Sequence, residues 1–156
     1  AGIVSKTGYP SRAVKIYKDK EADWIKKDKN LLSAYRKGRD QYAVSCGACH
    51  QADGKGLANM APTLAQSDWV IGDAKRLIGL AVHGLMGPIK VNGKLVEGVP
   101  PIMPPHGFMK DEQLAGILTY VRNAWGNRAG LISTEDITRY RKTESARVAP
   151  WTEAEF

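Results

Sequence analysis

The sequence predicts an all-α domain built on three core helices, with an extension at each end. Three observations predict it. Apolar residues recur at helical spacing in three separate stretches. The one strand signal is a short candidate hairpin, and no βαβ pattern is present. At 156 residues with 43% hydrophobic content, the chain suits one domain with a real core and is too apolar for disorder.

Residues 1–29 are polar and basic, contain Gly8 and Pro10, and show little periodicity. They read as an extension that wraps the surface, with Trp24 as its anchor. Residues 30–126 form the central domain. Leu31, Tyr35, Gly38 and Tyr42 recur at steps of four, three and four, one face of a helix for which Asn30 is the expected N-cap. Gly38 costs about 1 kcal/mol relative to Ala inside a helix. A close crossing with another helix would explain it, because no side chain then separates the backbones.

A Gly-rich loop, Asp53-Gly54-Lys55-Gly56, leads to Met60-Ala61-Pro62-Thr63-Leu64. The second helix runs from Asp73 to His83, with Ala74, Leu77, Ile78, Ala81 and Val82 as its stripe and Gly84 as its stop. Residues 84–109 are dense in Gly and Pro; within them, Ile89 to Val96 suit a hairpin around Asn92-Gly93. The third helix starts near Asp111 and carries Leu114, Ile117, Leu118, Val121 and Trp125 up to Gly126. Residues 127–156 form a C-terminal extension. It holds a weaker helix over Thr134 to Lys142, with Ser133 and Asp136 in capping-box positions, and a loosely packed Ala149-Pro150-Trp151 tail.

The formal net charge is +7, and residues 1–45 hold eleven Lys/Arg against five Asp/Glu. A basic face of this kind steers an acidic partner protein. Nucleic acid is not the expected partner, because no helix-turn-helix or zinc module accompanies the charge. No apolar run approaches the ~18–20 residues of a membrane span.

The chain's chemistry is concentrated in Cys46-Gly47-Ala48-Cys49-His50. This Cys-x-x-Cys-His run is the pattern of covalent c-type haem attachment. Two thiols at this spacing reach two vinyl groups on one porphyrin edge, and the adjacent imidazole reaches the iron. The run uses both cysteines of the chain. A four-ligand zinc site would need a second ligand pair, and the other histidines are His83 and His106 alone. A disulfide or thioredoxin-like pair would not require His50. One haem c, with its iron, is the cofactor expected.

The iron's other face needs a ligand. Met103 lies in Pro100-Pro101-Ile102-Met103-Pro104-Pro105, whose prolines stiffen a loop that must hold a weak thioether bond. Met60 falls on the proximal side, and Met86 and Met109 lack the rigid frame. His106 or His83 would give a bis-His centre, and an open sixth site would suit a gas sensor or haem enzyme. His50/Met103 ligation raises the reduction potential relative to bis-His and leaves no vacant position. Electron transfer follows as the expected function, with no catalysis by the chain itself. Leu64, Leu77, Ile78 and Leu118 would exclude water from the haem.

These residues resemble the class I monohaem cytochromes c over Leu31 to Gly126. Gly38 and Tyr42 precede Cys46 as the family's glycine and aromatic do. Pro62 lies twelve residues after His50; the resemblance implies that its carbonyl accepts the bond from the other nitrogen of the haem histidine. Leu64 matches a haem-packing leucine, Met103-Pro104 the axial methionine element. Ile117 and Tyr120 match the C-terminal helix that crosses the first at its glycine. Ser67-Asp68-Trp69-Val70, His83-Gly84-Leu85 and the stretch from Met103 to Asn127, with Leu118 to Asn123 and Trp125-Gly126-Asn127, are similar to a narrower group. These are cytochrome c domains fused to, or partnered with, periplasmic dehydrogenases and copper nitrite reductases.

The resemblance implies the cytochrome c fold, a periplasmic or otherwise extracytoplasmic location, and a leader removed ahead of Ala1 or excision from a longer fusion. A redox partner with an acidic docking face is expected, met by Lys90, Lys94 and the N-terminal lysines. Trp69 and Arg76 are candidates for haem propionate contacts. A second reading is the electron-accepting domain or subunit of an oxidoreductase complex of dehydrogenase or nitrite reductase type.

Overall fold

The computed structural model describes residues 20–96 and 102–156. The expectations placed on residues 1–19, including Gly8 and Pro10, and on Pro100 and Pro101 lie outside the described residues.

Helix α1 spans Asp23–Lys27 and α2 spans Lys29–Ser45. The cap of α2 is Asp28, not Asn30. Its carboxylate accepts from the backbone N–H groups of Asn30 and Leu31 at 2.9 and 3.0 Å, which places Asn30 inside the first turn. The expected stripe is the buried one: Leu31, Tyr35, Gly38 and Tyr42. Before α2, Ile25 is 1% exposed and enters the core. Trp24, the expected anchor, is only half-buried, under the Arg128 guanidinium at 5.1 Å. A short helix can aim only one of two neighbouring side chains inward. Glu21 grips Arg36 through two 2.8 Å bonds, tying this segment to α2.

Helix α3, Gly47–His50, follows a break at Cys46; α4 is a single turn, Asp68–Ile71. Helix α5 spans Ala74–His83, capped by the Asp73 carboxylate and stopped at Gly84. The hairpin forms as expected, with β1 (Lys90–Val91) antiparallel to β2 (Lys94–Leu95). Asn92 and Gly93 both take positive φ, 52° and 77°, as a type I′ turn requires.

Helix α6 spans Asp111–Val121 and crosses α2 at Gly38. A Cβ at Gly38 would lie 1.8 Å from the Gly116 carbonyl oxygen, so only hydrogen fits. Tyr120 lies beside the crossing, with the Tyr35, Tyr42 and Trp125 rings at 5.0, 5.3 and 5.3 Å.

The sequence expectation that α6 continues to Trp125 fails. The helix ends at Val121 because two side-chain amides take over the last turn. Asn123 donates to the Thr119 and Gly130 carbonyls, and Asn127 donates to those of Val121 and Leu64. Trp125 turns into the left-handed region at φ 53° and lays its ring over Gly54, with its indole N–H on the Ala52 carbonyl.

Helix α7, Thr134–Thr143, carries the expected capping box between Ser133 and Asp136. Its Ile137 and Tyr140, with Ile132 before it, join the main core. The tail, expected to pack loosely, is instead hydrogen-bonded: Trp151 pairs in parallel with Leu85. A single 3-10 turn, Glu153–Glu155, follows. Among the described residues, no helix is long and apolar enough to cross a membrane.

Candidate haem site

Cys46 sits at the junction of α2 and α3, and His50 closes α3. Both thiols are free; Cys46 is half-buried and Cys49 exposed. Burial, with a smaller contribution from the Cys49 charge, pushes the Cys46 thiol up to about 12. Behind them, the Tyr42 hydroxyl donates to the Gln51 carbonyl at 2.7 Å, and burial raises its pKa well above the ordinary phenol value.

The loop after His50 folds back over it. Gly56 N–H donates to the His50 carbonyl at 3.0 Å, and the Leu57–Ala61 bridge closes the turn. Gly56 has φ 75°, and a Cβ there would lie 2.2 Å from the Ala61 carbonyl oxygen and 2.6 Å from that of Pro62. This close approach brings the Pro62 carbonyl to 3.3 Å from His50 Nδ1. A carbonyl only accepts, so Nδ1 carries the proton and Nε2 keeps its lone pair for a metal. Burial lowers the His50 pKa, the Pro62 bond opposes it, and the His106 charge lowers it further. The neutral, ligand-competent form is favoured.

Cys46, His50, Pro62, Leu64 and Met103 all line one apolar cavity with about 900 Å³ of empty space, part of it open to solvent. The expected Leu77 and Leu118 are also on its wall. Ile78 is not; it is buried in the core, on the side of α5 that faces the Asp136–Tyr140 stretch of α7. At the mouth, Cys49 meets Met60, Ile102, Met103 and Pro104. Met103 is held by its own backbone, exchanging bonds of 2.8 and 3.0 Å with Leu85.

The competing ligands are placed differently. Met60 and Met86 are 53% and 44% exposed, at the mouth and outside the cavity respectively. Met109 lines the wall. His83 lies away from the cavity, its ring 5.7 Å from Tyr140. His106 lines both cavity and mouth, with Nδ1 buried and unpartnered among the described residues. Trp69 lines the cavity too, but its indole N–H is committed to the Lys90 carbonyl at 2.6 Å. Arg76 stacks 4.4 Å over the Trp69 ring and donates to the Asp68 carbonyl. Lys90 and Lys94 are exposed on the hairpin.

The residues fit a haem. Two free thiols stand beside one mouth of an apolar cavity, and an oriented imidazole and a thioether both line it. Among the described residues, no three His, Cys, Asp or Glu side chains converge as around a bare metal ion.

The cytochrome c family model matches residues 35–125. The chain belongs to the cytochrome c family. Its cofactor is accordingly a covalently bound haem c. This cytochrome is 31% identical over 111 residues to the cytochrome c subunit of a quinone alcohol dehydrogenase from Gluconacetobacter polyoxogenes, covering 68% of this chain and 22% of that protein. It is 30% identical over 142 residues to the gluconate 2-dehydrogenase cytochrome c subunit of Pantoea cypripedii, covering 83% and 31%. Against cytochrome c-552 of Thermus thermophilus the figures are 35% over 101 residues, 62% and 66%. The chain thus spans about a fifth to a third of the dehydrogenase subunits it matches.

Sequence reasoning missed Gly116, the other half of the helix crossing, and quoted Leu85 without its role as the backbone partner of Met103. It quoted Asn127 without a role. That buried amide links the Gln66 N–H and Leu64 carbonyl of the haem-side loop to the end of α6. An Asn just past a Gly that ends an apolar stripe was the available signal.

Proposed function

We propose that this cytochrome carries single electrons through a haem anchored by Cys46 and Cys49 and ligated by His50 and Met103. When bound, a c-type haem supplies a one-electron Fe(II)/Fe(III) couple. The chain's residues hold that couple in a constant environment. The Pro62 carbonyl fixes the His50 ring and raises its basicity. Leu64, Leu77 and Leu118 exclude water. The His50 Nδ1 contact to Pro62, with Met103 lining the same cavity, carries this reading. As a carrier and not a catalyst, it would hold the haem iron between His50 and Met103, and no position would then be left open to substrate.

The partner is a redox protein outside the cytoplasm, with an acidic docking face that complements the net charge of +7. Two matched proteins are named as dehydrogenase subunits, which supports a second reading: an electron-accepting subunit of such a complex. Tight, salt-insensitive co-purification with a dehydrogenase favours the subunit; loose, salt-sensitive binding favours the free shuttle.

The ligand set is tested by absorption spectra of oxidised and reduced protein beside Met103→Ala. The expected result is a weak far-red methionine-to-iron band in the ferric wild type, lost in the variant. If that band is missing and the reduced wild type binds carbon monoxide readily, the sixth position is open and the carrier reading falls.

A further inference from the structure

Residues 84–86 lie between the Met103 segment and the C-terminal extension, bridged to both through Leu85. On one side, Leu85 exchanges both backbone bonds with Met103. On the other, Trp151 N–H donates to the Gly84 carbonyl at 3.0 Å, and Met86 N–H donates to the Trp151 carbonyl at 2.9 Å. Gly84 is pressed against the methionine segment, since a Cβ there would lie 2.5 Å from the Met103 carbonyl oxygen.

The Trp151 segment is itself anchored. The Trp151 indole N–H donates to the Tyr140 hydroxyl at 3.0 Å. The Arg147 guanidinium stacks 3.3 Å over the indole ring. Both Tyr140 Oη and Trp151 Nε1 sit where only Gly79 of α5 admits them, 2.9 and 3.1 Å from the position of a Cβ.

A second clamp acts on the far end of the methionine segment. Arg141 of α7 donates to the Gly107 and Met109 carbonyls at 2.7 and 2.6 Å and is ion-paired with Asp111. Between the clamps, His106 N–H donates to the Ala81 carbonyl at 2.8 Å. The methionine segment is therefore pinned at residues 103, 106, 107 and 109. The pins at 107 and 109 come from α7, and Trp151 backs the Leu85 segment that makes the pin at 103.

We propose that the C-terminal extension is a brace on the Met103 segment, with Trp151 and Arg141 as positioning residues for Met103. The inference rests on the reading of Met103 as the sixth ligand. A thioether binds iron weakly, so its occupancy depends on how firmly the backbone holds it in place. Losing one or two of these restraints frees the segment to swing out and exposes the sixth position to an added ligand.

The experiment uses ferric holoprotein of the wild type, Trp151→Ala, Trp151→Phe and Arg141→Met, with imidazole as the probe. Imidazole is expected to bind Trp151→Ala and Arg141→Met about tenfold tighter than wild type, as the loss of a restraint of ~1.4 kcal/mol predicts. The far-red band should weaken in both, with far-UV circular dichroism and haem content retained. Trp151→Phe, which keeps ring stacking, should lie nearer to wild type. Unchanged imidazole affinity and an unchanged band in Arg141→Met, with or without a foldable Trp151→Ala, would overturn the brace. A wild type with no far-red band, unaltered by Met103→Ala, would instead overturn the ligand reading and the brace with it.

Discussion

Replacing Gly38 with alanine puts a methyl carbon 1.8 Å from the Gly116 carbonyl oxygen, 2.3 Å from its carbon and 3.0 Å from Ile117 N. All three are backbone atoms of α6, so no side-chain rotation relieves the clash. The helices must separate, and the Tyr35, Tyr42 and Tyr120 packing beside the crossing must loosen with them. Alanine gains about 1 kcal/mol in helix propensity. Overpacking a tight core costs about 1–3 kcal/mol or more, and a contact this short belongs at the upper end. The net loss is about 2 kcal/mol, or roughly 4–8 °C in Tm for a chain of this size. Gly116→Ala is the control: its Cβ would meet Gly38 Cα at 3.4 Å, within ordinary contact range. The same propensity gain should leave it within about 1 kcal/mol of wild type. Thermal and urea unfolding of the haem-loaded proteins reads both values. If Gly38→Ala is no less stable than Gly116→Ala, the crossing does not explain the glycine.

Three further outcomes are expected. Gly56→Ala should push the Pro62 carbonyl away from His50; with a less basic imidazole, the reduction potential should rise in a voltammetric titration, and an unmoved potential would count against that bond. Arg122 is 8% exposed and donates to the carbonyls of Val70, Gly72 and Ala129, so Arg122→Met should cost about 2–4 kcal/mol in urea unfolding; a near-neutral result would mean water satisfies those carbonyls. His83 is held below its ordinary value of 6.5 first by burial, then by Arg147 and Arg141, with Glu144 opposing. A lowered folded pKa means the unfolded chain takes up the proton first. Stability is therefore fully present above the unfolded value and falls as pH drops through about 6.5. His83→Asn should flatten the fall in urea midpoint between pH of about 7 and 5, and an unchanged slope would place the titration elsewhere.

Helical stripes and most caps were readable because they depend on near neighbours. The buried face of α2, the run of α5 and the Ser133–Asp136 box all follow from spacing within a turn or two. Element ends that depend on distant partners were not. Trp125 continues the apolar stripe of α6, yet the helix stops at Val121 because Asn123 and Asn127 find carbonyls to hold. One near-neighbour cap was also misread: Asp28 and Asn30 are both good caps, and the choice between them lay in which side chain reaches the free N–H groups. At the site, Cys46, Cys49 and His50 are contiguous in sequence and belong to one local structure. Leu85 carries no polar side chain, so nothing in its identity advertised that its backbone holds Met103.

The sequence alone determined the kind of chemistry, because haem attachment needs two thiols and an imidazole at fixed short spacing, and one pentapeptide contains all three. It also determined the helical architecture and Gly38 as the point of closest approach. Only the tertiary structure decided what surrounds that pentapeptide. The shared cavity of His50 and Met103, the seating of Trp125 on Gly54, and the pairing of Trp151 with Leu85 all join residues far apart in the chain. Such contacts depend on the closure of whole loops against the core, which no local pattern of side chains encodes.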